Sequence, residues 1–312
     1  MNAGDGGACR KGVEMAEEHK LRGIVLDRGP FGDTSLRFDV MTAELGLVSL
    51  MHKGSRQPRK GVAPGAVLDY FATVHLRFRP ARSSGMGTLL EGQLEDARWA
   101  LRENPTLMAM AAVPCEILRG CTLPEHVGAE RLFAHLERLL DGLTELAGER
   151  GWAKGAEPPG APPVEAEAAE LLGIGWLGLL GLLGHPPMWS RCAVSGEALG
   201  SALNGATTGL VSIADGGRVS HGAGHRGHGV RPMSLATELG IAAWMEGASA
   251  LPRDGGGAWA SSVQPPLNFL CAWTEYHLET RLRSYRLAVD WLFRGPGGGG
   301  ASAVLGAEDA AG

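Results

Sequence analysis

The sequence has few of the features that mark secreted and membrane proteins. Its 312 residues include five cysteines, an odd number without paired spacing, and no continuous apolar segment near the N-terminus. These absences argue against a disulfide framework and a secretory signal, and they favour a reducing compartment. The longest apolar run, residues 171–184, has about fourteen residues and five glycines, whereas a membrane span needs roughly twenty. We therefore expect a cytoplasmic protein with no membrane contact.

Motifs of known catalytic sites are missing as well. The chain has no nucleophile elbow and no Walker-type phosphate loop. Three histidines between 221 and 228 could serve a hydrolase, but the only acids near them in sequence are Asp215 and the more distant Glu238. We therefore predict no catalytic residues and no enzymatic activity.

A marked excess of positive charge occurs in one stretch of an otherwise acidic chain. The whole chain has a net charge of −5, yet residues 19–82 contain eleven Lys and Arg against five Asp and Glu, a local charge of +6. An excess of cations on one small segment is typical of a surface that binds a phosphate backbone. This stretch is therefore the first candidate for nucleic-acid binding.

The same stretch has the pattern of short β-strands. Apolar groups at 24–26, 36–40 and 47–51 alternate with turn material at Gly29-Pro30, Gly32-Asp33 and Glu44-Leu45-Gly46. A fourth strand would place alternate residues on opposite faces. Its two faces would carry Tyr70, Ala72, Val74, Leu76 and Phe78 on the core side, and Phe71, Thr73, His75, Arg77 and Arg79 on the basic side. With a fifth strand near 87–94, the fold class predicted is α+β, opening with a five-stranded barrel of the oligonucleotide-binding (OB) type at 19–95.

From residue 96 the apolar spacing becomes helical. Leucines recur every three or four positions between 132 and 146, and a further helix starts at Val164 and ends at Gly184-His185-Pro186-Pro187. Pro114 predicts either two helices or one kinked helix at 107–118. A last helix is expected after Pro265-Pro266, with Glu279 and Arg283 paired one turn apart. We predict a helical domain at 96–294, with a disordered leader at 1–18 and a disordered tail at 295–312.

Three groups of residues, in order along the chain, resemble the bacterial RecO family, the recombination mediators of the RecF pathway of DNA repair. The first group lies in the barrel, at 23–26, 31–35, 41–46 and 52–56. The second is Leu179 to Pro187 followed by Arg191 to Gly196, which is similar to the helix end and first cysteine pair of the family's zinc module. The third, Tyr276 to Ser284, resembles the family's last helix.

The resemblance implies binding of single- and double-stranded DNA, annealing of complementary strands, and loading of RecA on DNA coated with single-strand-binding protein (SSB), together with RecR. It also implies work at the nucleoid and a contact with the C-terminal tail of SSB, for which Arg119, Arg131 and Arg138 are candidates. For DNA we expect phosphate contacts from the basic stretch and base stacking from an aromatic side chain. The predicted DNA-binding residues are Arg37, Lys53, Arg56, Arg59, Lys60, Phe71, Arg77 and Arg79. The alternative is a RecO-derived scaffold that binds proteins and has weak affinity for DNA.

The sequence departs from this family at the residues that would bind zinc. A closed site of four thiolates needs two Cys-x-x-Cys pairs. Here Cys192 is followed by Ser195, and no cysteine occurs near 216–221. The expected module at 185–230 is therefore degenerate and no cofactor is predicted. A replacement site of Cys192 with His221, His225 and His228 remains the alternative to a flexible loop.

Overall fold

The computed structural model describes residues 18–55, 68–81, 85–121, 128–149, 163–200, 209–221, 229–251 and 259–294. The predicted leader, tail and most of the Pro/Gly linker at 155–163 lie outside these ranges. Contacts divide the chain into two compact units. One contains residues up to Val40 and Val48–Asp96, and the other contains Met41–Leu47 and the residues from Ala97 onward.

The first unit is a closed five-stranded barrel, as predicted. Its strands are β1 (His19–Phe31), β2 (Ser35–Thr42), β3 (Gly46–His52), β4 (Thr73–Arg79) and β5 (Gly87–Asp96). They close in the order β1-β2-β3-β5-β4, with β3 and β5 parallel and β4 antiparallel to both β1 and β5. The inward side chains of β4, Val74, Leu76 and Phe78, are buried together with Phe38 and Leu50. Strict alternation therefore identified the core face of β4 correctly, and the barrel fits the OB fold.

One predicted turn is wrong. Gly29 and Pro30 lie inside β1, which continues to Phe31, and the chain turns only at Gly32 to Thr34. Gly32 has a φ of +59°, a left-handed conformation that favours glycine. Pro30 is tolerated because it lies next to the end of its strand, where a missing N–H costs little pairing.

The second unit is mainly helical. Its helices are α1 (Trp99–Glu103), α2 (Pro105–Gly120), α3 (Ala129–Glu149), α4 (Val164–Leu182), α5 (Leu235–Met245), α6 (Trp259–His277) and α7 (Arg283–Arg294). Three short strands, β6 (Leu210–Ser212), β7 (Gly217–Val219) and β8 (Val230–Pro232), form a sheet in the order β7-β6-β8. This sheet occupies the region where the degenerate module was expected. Among the helices of the described residues, none is both long and apolar enough to cross a membrane.

Helix α2 is a single helix that contains Pro114. It starts at Asn104, whose side-chain oxygen accepts hydrogen bonds from the backbone N–H groups of Thr106 and Leu107 at 2.9 and 3.1 Å. This cap stabilises the first turn, where backbone N–H groups have no helical partner. The sequence left one or two helices open at this position, and the structure has one.

The prediction of one last helix starting after Pro265-Pro266 is wrong. Both prolines lie inside α6, and the chain breaks at 278–282 before α7 begins. The break is stabilised by two carboxylates: Glu275 accepts the N–H of Leu282, and Glu116 of α2 accepts the N–H groups of Arg283 and Ser284 at 3.1 and 2.8 Å. Glu279 has a φ of +49°, so it does not continue the helix to Arg283. A tertiary contact thus caps α7 where the local pattern predicted continuous helix.

Candidate nucleic-acid interface

The outward side chains of β4 are engaged in ion pairs with neighbouring strands. Arg77 contacts Glu18 at 2.6 Å and also contacts Glu91, while Arg79 contacts Glu18 at 2.8 Å. His75 lies 3.0 Å from Glu95. Hydrogen bonds from Arg77 and Arg79 hold the pKa of Glu18 below its usual range, and Arg77 does the same for Glu91. The predicted basic face of β4 is therefore a row of paired charges.

Arg37 is also paired. Its guanidinium lies 2.8 Å from the carboxylate of Asp27 and 3.2 Å from that of Asp39. The buried Asp39 accepts a further hydrogen bond from the hydroxyl of Ser49 at 2.7 Å. The group formed by Asp27, Arg37, Asp39 and Ser49 spans β1, β2 and β3 and contains two acids for one cation. It offers a phosphate a weaker attraction than an unpaired arginine would.

Lys53 is placed differently. It is exposed in the turn that follows β3, and the described residues place no acid in contact with it. The turn is closed by a hydrogen bond from the hydroxyl of Ser55 to the carbonyl of His52 at 3.0 Å, and Gly54 has a φ of +71°. Arg56, Arg59 and Lys60 follow in sequence and lie outside the described residues.

The cations and acids of this region are distributed differently between the described residues and the rest. The described part of residues 18–96 contains seven Lys and Arg against nine Asp and Glu, a net charge of −2. Residues 56–67 and 82–84 contain four cations, Arg56, Arg59, Lys60 and Arg82, and no acid. Of the charge of +6 counted for residues 19–82, the described residues therefore contribute +2 and the residues outside the described ranges contribute +4. Four further acids, at 18, 91, 95 and 96, make the described barrel negative.

Both basic segments begin at one end of the barrel, although the longer one ends next to Leu68, whose carbonyl accepts a hydrogen bond from Arg28 near the opposite end. β3 ends next to the start of β5, with Leu50 paired to Gly87 and Met51 to Thr88. β4 ends at the same place, with Arg79 paired to Thr88. The chain therefore leaves the barrel towards 56–60 and towards 82 from the same end. We call this part, Lys53 to Ser55 with Arg79 to Ala81, the loop end of the barrel.

The strand pattern predicted the wrong environment for the side chain of Phe71. Its side chain is only 1% exposed and belongs to the barrel core, and its φ is +67°, so the residue lies in a turn before β4. Its N–H bonds to the carbonyl of Val25 at 2.9 Å. Because an aromatic ring must be accessible to stack on a base, this burial contradicts the predicted role of Phe71. The predicted alternation started three residues too early, at Tyr70, whereas β4 starts at Thr73.

One exposed tryptophan was not predicted from the sequence. Trp99 is the first residue of α1 and is 64% exposed, and the guanidinium of Arg102 lies 4.7 Å from the centre of its ring. The preceding Arg98 is buried, has a φ of +46°, and bonds Asp141 of α3 through two nitrogens at 3.0 and 2.7 Å. Arg98 thus anchors the backbone from which Trp99 projects. A Trp followed three residues later by Arg, just after the last strand of the barrel, was the available signal.

The arginines predicted to bind a partner peptide lie on two helices of the second unit. Arg131 and Arg138 are exposed on α3, seven residues apart and so on one side of that helix. Arg119 lies in the last turn of α2 and is half-buried. Their contact with a partner stays a prediction.

The residues offered as metal ligands are only partly described. Cys192 is buried and His221 lies just after β7, while His225 and His228 fall outside the described residues. In the described ranges, no group of three or more His, Cys, Asp or Glu is arranged to hold a metal ion. Burial raises the pKa of the Cys192 thiol, but hydrogen bonds from Ser195 and from backbone N–H groups including that of Ser220 outweigh this effect and lower it to about 6.

A known protein family matches the part of the chain that contains the barrel. Residues 15–98 match the family described as recombination protein O N terminal. A protein named DNA repair protein RecO from Syntrophotalea carbinolica is 33% identical over 97 residues, which are 31% of this chain and 37% of the relative. Proteins of the same name from Bacillus cereus and Bacillus cytotoxicus are 32% and 27% identical over 103 and 127 residues, 33% and 40% of this chain. The matched part spans 40% and 50% of those two relatives.

Proposed function

We propose that this chain, whose N-terminal barrel is a RecO N-terminal domain, is a non-enzymatic mediator of DNA repair and recombination. It would bind single- and double-stranded DNA, anneal complementary strands, and help to load RecA on SSB-coated DNA together with RecR. The observation that supports this proposal most strongly is the family match over the OB-type barrel, together with the basic segments attached to its loop end. Arg119 of α2, with the exposed Arg131 and Arg138 of α3, would receive the SSB tail.

The charge distribution suggests how the barrel would bind DNA. Cations on connecting segments can follow a phosphate backbone without reading its bases. Binding of each strand would release counterions and reduce the repulsion between two complementary strands. The paired arginines of β4 would then hold the strands of the barrel together and add little to DNA affinity.

Trp99 is our candidate for base stacking in place of Phe71. Its ring is mostly open to solvent, and the nearby Arg102 adds a cation that favours contact with nucleic acid. Its backbone is anchored by the ion pair of Arg98 with Asp141. Such anchoring reduces the entropy lost when a base stacks on the ring.

The test is a fluorescence-anisotropy titration of labelled oligonucleotides at low and moderate salt. The variant R56A/R59A/K60A should bind single strands more weakly. Its plot of log affinity against log salt should be shallower by about 2, because each lost phosphate contact removes about 0.7 from the slope. The control R22A/R77A/R79A also removes three cations, all of which are paired with acids. We expect it to bind nearly as well as the unmodified protein, with folding checked by circular dichroism.

A specific observation favours one second candidate, the protein-interaction scaffold with weak DNA affinity: the described part of the barrel has a net charge of −2. No binding at low salt would exclude the DNA function and leave this scaffold. If R22A/R77A/R79A lost more DNA affinity than R56A/R59A/K60A, the DNA interface would be the outward face of β4 and not the loop end.

A further inference from the structure

In the turn at Cys192, which is hydrogen-bonded to β7, backbone N–H groups are directed at the sulfur. Around Cys192, the N–H of Gly196 bonds to the carbonyl of Cys192 and the N–H of Cys192 bonds to the carbonyl of Glu197, both at 2.8 Å. Two further N–H groups, from Ser195 and Ser220, point at the sulfur of Cys192 at 3.4 and 3.3 Å. The sulfur is therefore surrounded by backbone donors in the way that a ligating thiolate is.

The side chains do not fit the four-thiolate zinc that the family resemblance implies. Ser195 stands where the first pair needs its second cysteine. A second pair at Cys-x-x-Cys spacing that ends at 220 would start at Gly217. A Cβ atom at Gly217 would lie 2.1 Å from the carbonyl oxygen of Met188, so this position admits no side chain without a shift of the backbone. One thiolate cannot form a closed tetrahedral site.

A buried ion pair connects the Cys192 turn and β7, the two segments that a metal ion would join, and adds α5 to them. Arg218 of β7 contacts the carboxylate of Glu238 of α5 at 2.6 Å, and their side chains are 12% and 3% exposed. The other terminal nitrogen of Arg218 donates to the carbonyls of Trp189 and Gly200 at 3.0 and 3.3 Å. These contacts connect the Cys192 turn, β7 and α5.

Glu238 extends the connections to β6. Its second oxygen accepts the N–H of Gly209 at 3.2 Å, and its backbone carbonyl accepts the indole N–H of Trp189 at 3.3 Å. Both oxygens of the carboxylate are thus satisfied, as a buried charge requires. A Cβ atom at Gly209 would lie 2.8 Å from this carboxylate, so the segment before β6 is fitted closely to it.

We propose that the ion pair of Arg218 with Glu238 takes the place of a structural metal ion, and that the module of β6, β7, β8 and the Cys192 turn folds without zinc. Removal of either charge leaves the other buried without its partner, which is costly in a protein interior. Replacement of both by apolar side chains removes that cost. This inference does not depend on DNA binding.

The first test measures metal in the full-length protein purified without chelator. Elemental analysis should find far less than one zinc per chain, and neither EDTA nor added zinc should move the melting temperature. One zinc per chain, with a lower melting temperature in EDTA, would overturn the proposal. That result would point to the site of Cys192 with His221, His225 and His228. This test needs no variant, so it remains valid if a substitution prevents folding.

The second test uses substitutions in the full-length protein. E238Q should lower the melting temperature by about 6 °C or more and speed amide hydrogen exchange in residues 188–221. R218M/E238L should recover much of that loss. The matched control E197Q removes an exposed carboxylate of the same module, which contacts only Ser195 among the side chains of the described residues, and it should melt like the unmodified protein. If E238Q and E197Q had the same melting temperature, the ion pair could not have the stabilising role proposed for it.

Discussion

At the scale of the residue, burial decides which aromatic side chain can contact a base. Phe71 and Trp99 are both close to the ends of barrel strands in sequence, but Phe71 lies in the core and Trp99 projects into solvent. The difference arises from the backbone: Phe71 occupies a left-handed turn that directs its ring inward, whereas Trp99 follows an anchored arginine. A strand pattern alone cannot show such a turn, because alternation ends where the strand ends.

Substitution of Trp99 should therefore weaken the binding of single strands. W99A should reduce affinity about tenfold, since stacking of one base contributes about 1–3 kcal/mol, while W99F should retain most of it. The salt slope should not change, because an indole releases no counterions. Anisotropy with a labelled oligonucleotide measures both quantities. Y276A, which truncates another exposed aromatic residue, serves as the control. Equal affinities of W99A and Y276A would contradict the role of Trp99.

At the scale of the element, the glycines of α4 explain how its neighbours come so close. A Cβ atom at Gly173 would lie 2.4 Å from the ring of Trp244 of α5, and one at Gly175 would lie 2.7 Å from Leu139 of α3. Gly178 is equally close to His135. Three glycines of α4 thus lie where a neighbouring helix comes too close for a side chain. Gly181 has no atom within 4 Å of a Cβ position, because it lies on the exposed side of the helix.

This contrast provides a matched pair of substitutions within one helix. G173A should destabilise the protein by about 1–3 kcal/mol, because the added methyl group must displace the buried ring of Trp244. G181A should leave stability unchanged or raise it by up to about 1 kcal/mol, because alanine favours the helix. Urea unfolding followed by circular dichroism measures both. If G173A proved as stable as G181A, α4 and α5 could not be packed as described.

Element boundaries also show where local patterns fail. The period of the apolar residues identified α3 and α4, and alternation identified β4, because burial of one face depends on local spacing. The break between α6 and α7 was missed because it depends on Glu116, a residue 167 positions before Arg283. No window along the sequence contains both ends of that contact.

At the scale of the whole molecule, the distribution of charge predicts how annealing should depend on salt. Binding requires the cations at 56–60 to neutralise the phosphates of one DNA strand. Annealing requires them to neutralise the phosphates of two. R56A/R59A/K60A should therefore lose more annealing rate than affinity, and added salt should slow annealing by the unmodified protein. A stopped-flow assay with complementary labelled strands measures the rate. An unchanged rate in this variant would exclude the loop end as the annealing surface.

The sequence by itself determined the five-stranded barrel followed by a helical region, and the family that the barrel resembles, because these depend on local periodicity and on short strings of residues. Only the tertiary structure decided which charges are paired. Arg22 and Glu95 are 73 positions apart, and Glu18 reaches Arg79 across 61. Local counts of charge therefore included Arg37, Arg77 and Arg79 in the basic surface together with the loop residues from Lys53 to Lys60, whereas the structure pairs these three arginines with acids across the barrel. The same holds for Arg218 and Glu238, whose pairing became visible only when the fold brought β7 and α5 together.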